Sequence, residues 1–104
     1  MSGRASKRKG SKIEREFVEL HRALGLDAKR VPLSGAAAGW KGDIKVIVRG
    51  REITGEVKAR GDGSGFKTLK RWLGENDALF LREDRADGMV VLPMRTWAWL
   101  VGVE

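Results

Sequence analysis

The stretch Gly42-Asp43-Ile44-Lys45-Val46-Ile47-Val48-Arg49-Gly50-Arg51-Glu52-Ile53-Thr54-Gly55-Glu56-Val57-Lys58 decides the fold. Two runs rich in β-branched residues flank Arg49-Gly50, which is the pattern of a β-hairpin closed by a two-residue turn. The first strand is expected over residues 43–48 and the second over about 52–60. With that turn, Ile44, Val46, Ile53 and Val57 share one face and can pack a core, because side chains alternate along a strand. The same register sets Asp43 opposite Glu56, with their Cβ atoms ~5 Å apart. It also points Glu56 and Lys58 the same way.

Two facing carboxylates repel unless a cation neutralises them. Magnesium takes oxygen ligands and keeps several of its waters, so Asp43 and Glu56 form a candidate metal site whose shell a phosphate oxygen can complete. A metal there would acidify a water and polarise a phosphorus centre. Lys58 would orient the water or balance the developing negative charge. The bland alternative is a solvated hairpin face, since an isolated Glu-x-Lys on a strand is ordinarily a weak surface ion pair. The added Asp43 and the Gly-rich segment before it favour the site.

Outward from the hairpin, residues 33–42 form a Gly- and Ala-rich loop holding Ser34 and Trp40. Trp40 suits stacking on an unpaired base or capping the core. Upstream, a helix is expected from Ser11, with Ile13, Phe17, Leu20 and Leu24 on one face and Gly25 as its stop. A short strand follows, ending at Pro32. Ser11-Lys12-Ile13-Glu14 fits a capping box, and periodicity alone assigns Glu14 to the cap. As a third carboxylate, Glu14 can otherwise stand at the rim of the metal site. The lone His21 lies on this helix, apart from the acids. Residues 1–10, with Arg4, Lys7, Arg8 and Lys9, lack apolar side chains and read as a flexible basic tail that meets phosphate.

Downstream, Gly61 to Gly65 form a flexible loop that lacks the Gly-Lys-Ser/Thr ending of a nucleotide-binding loop. A helix near residues 66–74 carries Leu69, Trp72 and Leu73, with Lys67, Lys70 and Arg71 on one stripe suited to phosphate or to solvent. Strands near 78–81 and 89–92 flank a turn at Asp87-Gly88, and Pro93 opens a last helix with Trp97, Leu100 and Val101. This order of elements gives an α/β fold: a single nuclease domain over residues 11–104, with a central mixed β-sheet flanked by helices.

Composition fits. The net charge is +7, which draws polyanions and makes nucleic acid the expected partner. The sequence holds no cysteine, which excludes a disulfide scaffold, a thiol nucleophile and a thiolate zinc site. No apolar run is long enough to span a bilayer, so no membrane association and a cytoplasmic location are expected.

Arg8-Lys9-Gly10, Glu14-Arg15-Glu16, the helix closed by Gly25, Arg30, Ser34-Gly35, Asp43 and Glu56-Val57-Lys58 occur in an order and spacing that resemble archaeal-type Holliday junction resolvases. These are PD-(D/E)XK nucleases with a restriction-endonuclease-like fold. The resemblance covers roughly residues 8–60, and Gly42 stands where the superfamily name puts proline. It implies that Glu14, Asp43 and Glu56 are the acidic, metal-holding site, with Lys58 the catalytic lysine and Ser34 near the scissile phosphate. It implies that Arg15 and Arg30 contact DNA. It further implies a magnesium- or manganese-dependent homodimer that nicks a four-way junction in pairs, in DNA recombination and repair. The two-fold enzyme suits the two-fold substrate. Competing readings are a nuclease of the same superfamily acting on flaps, single strands or duplex ends, and a non-catalytic DNA-binding module.

Overall fold

The computed structural model describes residues 3–31 and 43–103, with side chains from Gly10 onward. Ser34 and Trp40, and the side chains of Lys7, Arg8 and Lys9, lie outside the described residues. The element order is that expected: α1 (Gly3–Ala23), β1 (Ala28–Arg30), β2 (Ile44–Val48), β3 (Arg51–Gly55), α2 (Lys67–Leu73), β4 (Leu79–Leu81), β5 (Met89–Val91) and α3 (Met94–Val101). This is an α/β architecture consistent with the restriction-endonuclease-like fold. Where a mixed sheet was expected, the described strands form two antiparallel sheets, one ordered β1-β2-β3 and the other a β4-β5 pair. The chain divides into two compact units, residues 1–59 with 102–104, and residues 60–101.

In the first unit the hairpin has the register that its turn dictates: Ile44 faces Gly55, Val46 faces Ile53 and Val48 faces Arg51. Arg49 and Gly50 both take positive φ, 53° and 78°, as a tight turn matching the twist of the strands requires. Glycine adopts this freely, whereas arginine does so at some cost. Ile44 and Val46 are buried on the face against α1, beside Ala28 of β1. On the other face Lys45 Nζ meets Glu52 Oε1 at 3.3 Å.

α1 begins at Gly3 rather than Ser11. Ala5 and the Arg and Lys residues around it are adequate helix formers, and no proline interrupts the run into the apolar helix. Of the expected apolar stripe, Ile13, Phe17 and Leu24 are half-buried, but the buried face is centred to one side of it. Val18 and His21 are buried, Ser11 and Glu14 are half-buried on the same side, and Leu20 is exposed. His21 tolerates burial because its Nδ1–H donates to the Phe17 carbonyl at 2.6 Å. Gly25 ends the helix at φ 89°. There the Leu24 carbonyl accepts from the Val103 N–H at 2.9 Å, and a Cβ on Gly25 would stand 3.0 Å from Val103 Cβ.

The second unit holds α2, the β4-β5 pair and α3. Thr96 and Trp97 donate N–H bonds to the Pro93 carbonyl at 3.0 and 3.2 Å, so Pro93 opens α3 as expected. Of the apolar residues expected on these helices, Trp72 and Leu100 are exposed, while Val101 is buried.

The turn offers a clean test of the backbone argument. Arg49→Asn should raise stability by roughly 0.5–1 kcal/mol, because asparagine visits the left-handed region more readily than arginine. Gly50→Ala should lower it by about 1 kcal/mol. Urea midpoints at constant m-value would read both changes.

Candidate active site

Asp43 stands where three strands meet. Its carbonyl accepts from Val31 N–H at 2.9 Å, and its own N–H donates to the Gly55 carbonyl at 2.7 Å. Gly55 is already the register partner of Ile44, so two consecutive residues of one strand share one residue of the other. Such a bulge-like step re-aims a side chain. The ladder therefore ends one pair short of the expected Asp43–Glu56 opposition, and a closer link replaces that pairing. Asp43 Oδ2 accepts the Val57 N–H at 2.7 Å. Val57 N is bonded to the Glu56 carbonyl carbon, so this oxygen lies within about 5 Å of the Glu56 Cα.

β3 stops at Gly55, short of the expected end near Arg60, but exposure continues to alternate from Glu56 to Arg60. Glu56 and Lys58 extend to the same side, with Lys58 Nζ 3.3 Å from Glu56 Oε2. Their side chains are 57% and 59% exposed. An ion pair this open adds little stability and leaves both groups accessible to a substrate.

Glu14 is not a helix cap, since α1 starts well before it. Its Oε1 accepts from Arg30 Nε at 3.0 Å, and Arg30 Nη2 donates to Ser11 Oγ at 3.0 Å. Arg30 is the register partner of Ile44, so this cluster sits on β1 beside the β2 residue that follows Asp43. Among the described residues, no three His, Cys, Asp or Glu side chains form a group that could hold a metal. The three-acid convergence expected of Glu14, Asp43 and Glu56 is thus not found among them; Glu14 is engaged by Arg30.

Each acid is nonetheless held in a similar manner. Asp43 by Val57 N–H, Glu56 by Lys58 and Glu14 by Arg30 each have one oxygen engaged, and the second oxygen has no partner among the described residues. The carboxylate oxygens of Asp43 and Glu56 are of the type that could hold an ion retaining most of its water, as magnesium does.

Among the expected DNA contacts, Arg15 is exposed on α1, and Lys67, Lys70 and Arg71 are exposed on α2 of the second unit. Arg30 is not open in that way: it is turned inward onto Ser11 and Glu14. Two features escaped the sequence reading, the Val57 N–H as the Asp43 partner and Ser11 as the Arg30 partner. The first follows from a bulge that no residue type signals. The second joins residues far apart in the chain, and neither carries a motif for the other.

An acid on α1, an aspartate heading β2 and Glu-x-Lys following β3 are the order expected of PD-(D/E)XK nucleases, and the family match places the chain in that superfamily. Within that superfamily the chain belongs to the archaeal Holliday junction resolvase family, whose model matches residues 5–91. No curated protein and no solved structure matches it significantly. At family level the chain is a resolvase-type DNA endonuclease of recombination and repair, a binder of branched DNA. No described helix is long and apolar enough to cross a membrane.

The Asp43 carboxylate should be separable into a structural and a chemical role. Asp43→Ala removes the acceptor of a part-buried N–H and should cost about 1–3 kcal/mol, with faster amide hydrogen exchange at Val57. Asp43→Asn retains an oxygen acceptor and should preserve most of both.

Proposed function

We propose that this chain is a magnesium- or manganese-dependent endonuclease that resolves four-way DNA junctions by paired phosphodiester hydrolysis, acting as a cytoplasmic homodimer. The observation that carries the reading is the way Asp43 and Glu56 are held. Asp43 is tied through one oxygen to the peptide that follows Glu56, and Glu56 meets Lys58 through one oxygen. Acids placed for mere binding would repel phosphate, so a half-buried Asp43 next to an exposed Glu56 in a chain of net charge +7 is best explained by a cation between protein and DNA.

Asp43 and Glu56 would hold the metal, and Glu14 assists from α1. The bound ion supplies positive charge that lets two acids share a site and polarises the phosphorus centre. Lys58 orients the attacking water through its ammonium protons and offsets charge that builds on the phosphoryl oxygens. Ser34 contacts the scissile phosphate. Lys7, Arg8, Lys9, Arg15, Lys67, Lys70 and Arg71 contact backbone phosphates along the arms, giving affinity that falls steeply with salt. A two-fold dimer presents one site to each of two like strands, which accounts for nicks in pairs.

A synthetic four-way junction incubated with magnesium tests this. The wild type should give symmetric paired nicks. Asp43→Asn should slow cleavage by at least about a hundredfold while still binding the junction, and a chelator should stop the reaction. Equal products from the wild type and Asp43→Asn would sink the assignment. Faster cutting of flaps or duplex ends than of junctions would move the substrate elsewhere in the superfamily. Native mass measurement counts the subunits.

A further inference from the structure

Ser11 and Glu14 lie one turn apart on the sheet-facing side of α1, and Arg30 reaches back to both from the end of β1. The Arg30 Nε–Glu14 Oε1 and Nη2–Ser11 Oγ distances are each 3.0 Å. The Arg30 and Glu14 side chains retain 27% and 16% of their exposure, and Arg30 is the only cation among the described residues joined to Glu14. A guanidinium is planar and rigid, so two bonds from different nitrogens fix its plane as well as its position.

We propose that Arg30, braced by the Ser11 hydroxyl, is a positioning residue that sets the Glu14 carboxylate for strand cleavage, and that it does not serve as a grip on the DNA backbone. The inference rests on the reading of Glu14 as an assisting acid. Three features carry it. The charge of Arg30 is matched locally by Glu14, which weakens its pull on phosphate. Its Nε and Nη2 are turned onto Glu14 and Ser11, whereas Arg15 on α1 is exposed. The bond to Glu14 engages only Oε1, the arrangement by which a neighbouring group orients a carboxylate without consuming it. Ser11 thereby acquires a role at a distance: it holds the residue that holds the acid.

The test uses the full chain with a synthetic four-way junction and the variants Arg30→Lys, Ser11→Ala and, as a reference for the chemistry, Asp43→Asn. Junction affinity is measured across a salt series in a chelator. Single-turnover cleavage is measured in magnesium at saturating enzyme, and urea stability in parallel. Lysine keeps the charge but lacks the fork, so Arg30→Lys should slow cleavage by about tenfold or more with affinity and salt slope unchanged. Ser11→Ala should slow it severalfold in the wild type and add nothing in the Arg30→Lys background. A backbone grip predicts the reverse: weaker binding, a salt slope smaller by about one, and an unaltered rate at saturation. A purely structural clamp predicts lowered urea midpoints with an unaltered rate from folded enzyme. Either result overturns the proposal. Cleavage lost in Asp43→Asn but untouched in Arg30→Lys removes this inference alone, while absence of cleavage by the wild type removes it together with the function on which it rests.

Discussion

Asp43 ties the first unit together. Through its carbonyl it receives β1, through its N–H it joins β3, and through its carboxylate it holds the peptide that links Glu56 to Val57. A part-buried backbone N–H must find an acceptor or incur a desolvation penalty. The Val57 N–H finds its acceptor in an acid that the proposed chemistry also uses. Structure and reactivity therefore draw on the same group, and the carboxylate cannot turn freely without releasing the strand it holds. Restricting rotation in this way is how a fold presents an acid in one orientation before any substrate arrives.

That arrangement starts at the other end of the hairpin. Arg49-Gly50 fixes which residues of β2 and β3 meet, and every pair down to Ile44–Gly55 follows from it. Only at the last step does the bulge at Asp43 depart from the regular ladder. The register of the hairpin, its buried face of Ile44 and Val46 and the shared side of Glu56 and Lys58 were legible in the sequence because each obeys a two-residue period and a known turn geometry. The partner of the Asp43 carboxylate was not legible, because a bulge is a property of how strands fit and not of the residues within it.

α1 shows a different limit. Ile13, Phe17, Leu20 and Leu24 make a convincing helical stripe, yet the first, second and fourth are only half-buried, Leu20 is exposed, and the fully buried positions are Val18 and His21. Periodicity locates a helix but not its rotation when several faces carry apolar residues, and a histidine can join the core if its ring finds an acceptor in the preceding turn. The start of α1 at Gly3 takes Glu14 out of the cap geometry, and its place on the half-buried side brings it to Arg30. The capping-box pattern at Ser11 and Glu14 named two residues that do belong together, but a strand arginine joins them and not a helix terminus. In the second unit the elements and the start of α3 followed from Gly, Pro and apolar runs. The exposure of Trp72 did not, since an amphipathic pattern over so short a helix leaves its orientation open.

The chain leaves the first unit near residue 59 and comes back to it at residue 102, where Val103 pairs with Leu24 beside Gly25. Topologically, residues 60–101 are a parenthesis, tethered at both ends. If that segment loosens while the remainder stays folded, it forms a closed loop instead of a free tail, and the entropy of closing such a loop grows only slowly with its length. Residues can thus be added or removed inside it at little cost to the enclosing unit, so long as the C-terminal strap at Val103 stays fastened.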